Sequence, residues 1–285
     1  MEWEFPPAWK KLAEEISSQD WRIMLVGGVD CGKTTYARYI LKILIEKKEE
    51  VAYINADVGQ AILGPPATLS MSFLKRFPSQ LETVLPDYQW FIGSNSPSGF
   101  FSEVILGVHS FVQVLEEKGN PPAVMDTSGL IKGEEGKRLK YMKSLVFQPD
   151  LVVILEREDE MEEIHSLLLS GGFRVEKLKV GDFVKVKTRQ DRINFRKEKF
   201  KRYFEGGEVK EFSLKGLGFV SHTKVIQRGQ LVGLLEEKGF LLGLGLWMGV
   251  EKGKVKIFTP LKNFDDLKII WVGRLIIDPE TGEEK

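Results

Sequence analysis

Gly27-Gly28-Val29-Asp30-Cys31-Gly32-Lys33-Thr34 is the stretch on which the fold turns. It matches the pattern G-x-x-x-x-G-K-[ST], and its flanks supply the context that pattern needs. Before it, Trp21-Arg22-Ile23-Met24-Leu25-Val26-Gly27 reads as a buried strand. After it, Thr34 to Lys48 reads as a helix, with apolar Ile40, Leu41, Leu44 and Ile45 at helical spacing. A glycine-rich turn between strand and helix lets backbone N–H groups curl around an anion, and the helix N-terminus adds partial positive charge. Gly28, Val29, Asp30, Cys31, Gly32, Lys33, Thr34 and Thr35 are therefore candidate phosphate binders. In this chemistry the lysine reaches the β- and γ-phosphates of a nucleoside triphosphate and the threonine hydroxyl faces Mg²⁺. Cys31 matters here through its N–H rather than its thiol.

Apolar runs and amphipathic stretches alternate outward from this loop. Val51 to Asp57, Tyr88 to Gly93, Ala123 to Asp126 and Leu151 to Leu155 read as strands, and Phe100 to Lys118 as a helix. That alternation predicts an α/β fold, a P-loop NTPase with a mostly parallel sheet covered on both faces. Residues 58–87 read as one long loop, and loops of that length in a compact domain are usually functional or flexible; we assign it to an acceptor site. The pattern changes near residue 205. Leu231–Leu235, Phe240–Val250, Val255–Phe258 and Ile269–Ile277 are short apolar runs with glycine and charge between them. They predict a small antiparallel β unit. The expected domains are 1–205, a P-loop domain that ends in a basic segment at about 185–204, and 206–285, a small β-rich domain.

The 285 residues include 41 Lys/Arg and 41 Asp/Glu, with 42% hydrophobic residues. That apolar fraction and zero net charge exclude a chain dominated by disorder. One cysteine excludes a disulfide scaffold and fits a reducing compartment. No apolar run is long enough to cross a membrane, and Met1 to Pro6 has neither the basic nor the apolar region of a signal peptide. The expected location is cytoplasmic, with no membrane partner, and the sequence sets no oligomeric state. The balance of charge is local: residues 1–172 hold 17 Lys/Arg against 25 Asp/Glu, whereas residues 173–204 hold 12 against 4. Such a block reads as a phosphate-binding surface once a phosphate loop is present. Within it, Lys185, Arg189, Arg192 and Arg196 share one face if the segment is helical. His109, His165 and His222 are scattered without metal-ligand spacing, and Trp3, Trp9, Trp21 and Trp90 read as core residues rather than base-stacking platforms.

A phosphate loop needs an acidic partner. Asp57 and Asp126 both end predicted strands, where ligands of open α/β sheets bind, and spacing does not choose between them. Asp126-Thr127-Ser128-Gly129 also fits the short D-x-x-G of GTPase switches, but no N-K-x-D follows anywhere.

Further stretches carry a resemblance. They are Asp30-Cys31-Gly32-Lys33-Thr34, Asp57-Val58-Gly59-Gln60 with Gly64-Pro65-Pro66 after it, Gly93-Ser94-Asn95-Ser96-Pro97, Thr127-Ser128-Gly129-Leu130, and Tyr203-Phe204 at the end of the basic segment. Together, over residues 20–205, they resemble the 5′-hydroxyl polynucleotide kinases related to the kinase subunit of the mRNA cleavage and polyadenylation factor and to the rRNA-processing kinases. Three positions depart from that family's pattern. Asn55 stands where the family has a first acid, Leu130 where a tryptophan usually follows the clasp, and Lys187-Thr188 where the lid has its first arginine, so that Arg189 is a candidate replacement. The large N-terminal domain of the eukaryotic members is missing, so the resemblance places no adenine pocket.

The resemblance implies an ATP- (or GTP-) and Mg²⁺-dependent transfer of a γ-phosphoryl group to the 5′-OH of RNA or DNA. It implies Lys33, Asp57, Arg192 and Lys187 as catalytic residues, Thr34 and Asp57 at the metal, and Thr127 and Ser128 as a clamp on the nucleotide's phosphates. Asp126 becomes a supporting residue. Gln60, Arg189 and Arg196 are expected at the polynucleotide. The alternatives carried from the sequence are another P-loop small-molecule kinase and an ATP-binding scaffold of an RNA-processing assembly with little turnover.

Overall fold

In chain order the first part of the computed structural model contains α1 (Pro7–Ser17), β1 (Arg22–Gly27), α2 (Lys33–Lys47), β2 (Val51–Ala56), β3 (Thr68–Leu74), β4 (Tyr88–Phe91), α3 (Phe101–Glu117), β5 (Ala123–Thr127), α4 (Gly133–Phe147), β6 (Leu151–Glu156), α5 (Glu162–Ser170) and β7 (Val175–Lys179). The structure describes residues 5–181 and 184–285; Trp3, read above as a core residue, lies outside them. The seven strands form one sheet in the order β4-β3-β2-β5-β1-β6-β7. Strands β2, β5, β1, β6 and β7 are parallel, while β3 runs antiparallel to both its neighbours. Strand β1 lies inside the sheet between β5 and β6, and the phosphate loop leaves its carboxyl end.

Alternation along the strands explains the layers. In β1, Ile23 and Leu25 face α1 and α2 with Trp9, Ile16, Tyr36 and Leu41. Met24 and Val26 face the other way, with Val108 and Phe111 of α3, Leu139 of α4 and Ile164 of α5. Both faces are covered, so β1, β2, β5 and β6 are buried along nearly their whole length, whereas the edge strand β7 carries exposed Glu176 and Lys179. Among the described residues, no helix is long and apolar enough to cross a membrane.

The basic segment then forms α6 (Arg189–Phe204), followed by β8 (Glu208–Ser213), β9 (Gly218–Ser221), β10 (Gln230–Leu235), β11 (Leu241–Glu251), β12 (Lys254–Thr259) and β13 (Ile269–Ile276). These six strands make a second sheet, in the order β8-β12-β11-β10-β13-β9. It is antiparallel except for the β13–β9 pair, which is parallel. Phe200 and Phe204 of α6 pack on this sheet with Leu231, Leu244 and Phe91 of the first sheet. The helix that carries the basic residues is thus seated on the second sheet while reaching the first.

Two expectations are corrected. Residues 58–87 are not one loop, because β3 lies within them and pairs with β2 along Val51–Asn55. Its polar Ser70 and Ser72 are buried, so the segment lacks the exposed polar face that marks a strand in sequence. The basic face is also shorter than expected. Thr188 caps α6, its hydroxyl accepting from the Asp191 N–H while the Asp191 carboxylate accepts from the Thr188 N–H. Lys185 and Lys187 therefore precede the helix and do not share its face with Arg189, Arg192 and Arg196.

Candidate active site

The phosphate loop sits over the carboxyl edge of the parallel sheet. Asp30 in its bend has a left-handed backbone, φ 55°, a conformation that Asp adopts more readily than most residues. Lys33 is 7% exposed, and its ammonium donates to the Gly28 carbonyl at 2.6 Å. The Thr34 hydroxyl donates to Oδ2 of Asp126 at 2.5 Å. The parallel register places Asp126 opposite Leu25 of β1 and Asn55 of β2. It is 2% exposed, and its Oδ1 has no hydrogen-bond partner. Burial pushes its carboxyl up to about 6, with Lys33 and the Thr34 hydroxyl pulling it down. A hydroxyl and a carboxylate with an orphaned oxygen form a hard, all-oxygen donor set of the kind Mg²⁺ takes, so the residues present fit that ion.

Asp57, just past the end of β2, lines the cavity in front of the phosphate loop, as Lys33 and Thr34 do and Asp126 does not. Asp57 Oδ1 accepts from the N–H groups of Gly59 and Gln60, at 3.0 and 3.1 Å, which fixes the carboxylate against its own turn. Asn55 explains itself by its contacts. Its Oδ1 accepts from Ile62 N–H at 2.8 Å and its Nδ2 donates to the Asp57 carbonyl at 3.1 Å. The amide orders the turn behind Asp57, a task that uses a donor and an acceptor together, and it does not line the cavity. Gln60 does line it; its Nε2 donates to the Gly59 carbonyl, leaving a buried Oε1 without a partner.

Two fully buried lysines of α4 stand behind these turns. Lys143 donates to the carbonyl of Ala56, the residue before Asp57, at 3.0 Å. Lys140 donates to Thr127 Oγ1 at 2.9 Å and also to the Ser128 carbonyl. Burial drives both ammonium groups down, Lys143 to about 8. The sequence reading passed over both. Their signal was lysines three apart on the apolar Leu139–Phe147 face of a helix.

The clasp divides. Ser128, Gly129 and Leu130 line the cavity, and Ser128 Oγ is buried with no partner. Thr127 is fully buried behind the wall, its hydroxyl donating to Leu25 O at 2.7 Å, and it is not among the cavity-lining residues. Gly129 is required by close approach: a Cβ there would lie 2.9 Å from the backbone nitrogen of Val29 in the phosphate loop.

The lid closes the opposite side. Lys187 donates its backbone N–H to Asp30 Oδ2 at 2.8 Å, and Arg192 Nη2 pairs with the same oxygen at 2.5 Å. Both line the cavity together with Lys185 and Arg196. Lys187 Nζ also lies 5.6 Å from the centre of the Phe195 ring. Arg189, at the first turn of α6, instead lines an adjoining cavity. Lys199, counted above as part of the basic surface, is turned inward. It donates to the carbonyls of Ile62 and Gly64, and burial pushes it down to about 8. Arg157 was not foreseen; it holds the carbonyls of Asp30 and Val184 at 3.0 and 3.1 Å and so ties the phosphate loop to the start of the lid segment.

The resulting cavity, about 420 Å³, gathers Lys33, Thr34, Asp57, Gln60, Ser128, Lys187, Arg192 and Arg196. The family model described as the mRNA cleavage and polyadenylation factor CLP1 P-loop matches residues 27–206. The chain belongs to this family. A polyribonucleotide 5′-hydroxyl-kinase of Pyrococcus horikoshii is 31% identical over 95% of this chain and 90% of the relative. One of Methanocaldococcus jannaschii is 34% identical over 94% and 90%. Human Clp1 is 25% identical over 69% of this chain and 48% of its own. Among solved structures, that of wild-type Clp1p in complex with Pcf11p superposes with a TM-score of 0.70 over 93% of this chain and 78% of that one, at 14% identity. At that identity the likeness concerns the fold, and the CLP1-type architecture extends through both sheets.

Proposed function

We infer that this chain is a polynucleotide 5′-hydroxyl kinase, moving the γ-phosphoryl group of ATP to the 5′-OH of RNA or DNA. One arrangement carries the reading. A phosphate loop and a strand-end carboxylate, Asp57, line the two sides of one cavity whose rim holds lid cations. The family's relatives are named for that activity on polyribonucleotides.

Each residue then has a task. An arriving triphosphate offers Lys33 charged oxygens in place of the Gly28 carbonyl it holds. Thr34 and Asp126 would hold Mg²⁺, whose charge would offset that of the triphosphate, while Asp57 faces the cavity that Thr34 also lines. Asp57 accepts the proton of the attacking hydroxyl or orients it. Arg192 and Lys187 meet the charge that spreads over the γ-phosphoryl oxygens as transfer proceeds. Gln60, Arg189 and Arg196 bind the acceptor strand, and Ser128 contacts phosphate oxygens, while Thr127 supports it from behind.

The test is end-labelling with γ-labelled ATP of matched RNA and DNA oligomers bearing either 5′-OH or 5′-phosphate. Label on the 5′-OH oligomers alone supports the reading. Retention of ATP with no transfer to any acceptor would make the protein a nucleotide-binding scaffold instead.

A further inference from the structure

A carboxylate already sits at the mouth of the cavity in the kind of cradle that holds a phosphate. After β13 the chain doubles back, with Asp278 N–H donating to the Glu283 carbonyl at 2.9 Å and Lys285 N–H to the Ile276 carbonyl at 2.9 Å. The turn lays Glu284 against the lid helix. Arg196 grips it with both arms of its fork, Nε to Oε1 at 2.5 Å and Nη2 to Oε2 at 3.3 Å. Asn95 Nδ2 donates to the same Oε2 at 2.5 Å. Only 15% of the Arg196 side chain and 21% of Glu284 is exposed. Beside it, Glu283 pairs with Lys197 at 2.6 Å. A second cavity of about 610 Å³ opens here, sharing Asn95, Arg192 and Arg196 with the first and adding Arg189 and Lys197.

We propose that Arg196 and Asn95 form a phosphodiester subsite for the acceptor strand, 3′ of the reacting nucleotide, and that Glu284 is its internal occupant, displaced when a polynucleotide binds. The proposal rests on the kinase reading for placing the 5′-OH beside Asp57. Its own chemistry is general. The planar guanidinium fork takes carboxylate and phosphate in the same two-pronged geometry, and a phosphodiester carries the single negative charge of a carboxylate. Asn95 adds a neutral donor to the same oxygen, as it would to a phosphate oxygen. Displacement exchanges one anion for another on the same fork, so the strength of the pair itself largely cancels. A strand that also meets Arg189 and Lys197 in the adjoining cavity can therefore replace it. The backbone bridge between Ile277 and Glu284 keeps the turn attached while the side chain leaves. A single nucleotide, lacking further phosphodiesters, gains little from displacing it, so the device favours polymers over monomers.

The competing account is that Glu284 braces the lid helix. Equilibrium binding separates the two. A 3′-fluorescein single-stranded RNA with a 5′-OH is titrated with the full chain by fluorescence anisotropy, for the wild type, Glu284→Gln, Arg196→Ala and the double variant, each checked for an unchanged thermal midpoint. Removal of the occupant's charge should lower Kd on the order of threefold. Arg196→Ala should raise it, and in that background Glu284→Gln should have no further effect. Unchanged or weaker binding by Glu284→Gln overturns the proposal. So does a tightening that persists in the Arg196→Ala background. Because binding is read without turnover, a wild type that binds RNA this way yet transfers no phosphate strikes the kinase reading, whereas an unchanged Kd in an active enzyme strikes the subsite alone.

Discussion

Arg192 of the lid helix and Asp30 of the phosphate loop form an ion pair, Nη2 to Oδ2 at 2.5 Å, and the same carboxylate oxygen accepts the backbone N–H of Lys187. One side chain of the phosphate loop thus ties the start of the lid at two points. In the proposed reaction this pairing holds the guanidinium at the rim until a γ-phosphate arrives.

Asp30→Ala should therefore lower kcat by about 5- to 30-fold, the loss expected from ~1–2 kcal/mol of lid positioning, with a smaller change in ATP affinity. Arg192→Ala should lower kcat further, because its charge is needed most as transfer proceeds. The double variant should cost less than the product of the two. Strict multiplicativity, measured as kcat and ATP Kd for all four proteins, would show that the pair does not act as a unit.

Asp57 and Asp126 should separate by variant. Asp126 holds the Thr34 hydroxyl, so Asp126→Asn should chiefly raise the Mg²⁺ concentration needed for half-maximal rate. Asp57→Asn should cut the single-turnover rate by ~10²–10⁴ at saturating Mg²⁺. If Asp126→Asn gives the larger loss at saturating metal, the two roles are exchanged.

How legible all this was in the sequence depends on the kind of signal. The loop at Gly27–Thr34 and the buried parallel strands announced themselves, because glycine spacing and unbroken apolar runs have few other readings. Strand β3 did not, since its serines are buried in pairs with polar neighbours rather than exposed. The choice between Asp57 and Asp126 was open to spacing, and only the register of β5 beside β1 shows which one reaches Thr34. Lys140 and Lys143 were passed over because their partners, the Ala56 and Ser128 carbonyls and the Thr127 hydroxyl, lie on turns far from them in the chain. Glu284 carried no local signal at all, because its partners Arg196 and Asn95 are distant in the chain.

The buried lysines give a pH prediction. Lys143 loses its proton near 8 in the folded chain and near 10.4 when unfolded. Between those values unfolding takes up a proton, so the stability that depends on this group rises with pH across that window and is lowest below 8, where the charge stays buried. Relative to Lys143→Met, the wild type should gain up to ~3 kcal/mol between pH 8 and 10.5. Denaturant unfolding of both proteins across that range checks it; parallel curves would mean that Lys143 is not held in a desolvated site.

The two sheets meet backbone to backbone. Gly93 O accepts from Arg274 N–H at 2.8 Å, and a Cβ on Gly273 would lie 2.6 Å from Gly93 Cα. Gly273→Ala should therefore destabilise the protein by ~1–3 kcal/mol. It should also lower kcat, since α6 rides on the second sheet through Phe200 and Phe204. A variant that keeps its thermal midpoint and its rate would show that the contact is dispensable.

The most direct test of the account is single-turnover transfer from γ-labelled ATP to a 5′-OH RNA oligomer by the wild type and by Lys33→Ala, with circular dichroism confirming that both are folded. The account predicts label at the 5′ end with the wild type and none above background with Lys33→Ala. Equal labelling by the folded variant would contradict it, because the phosphate loop would then have no part in the transfer.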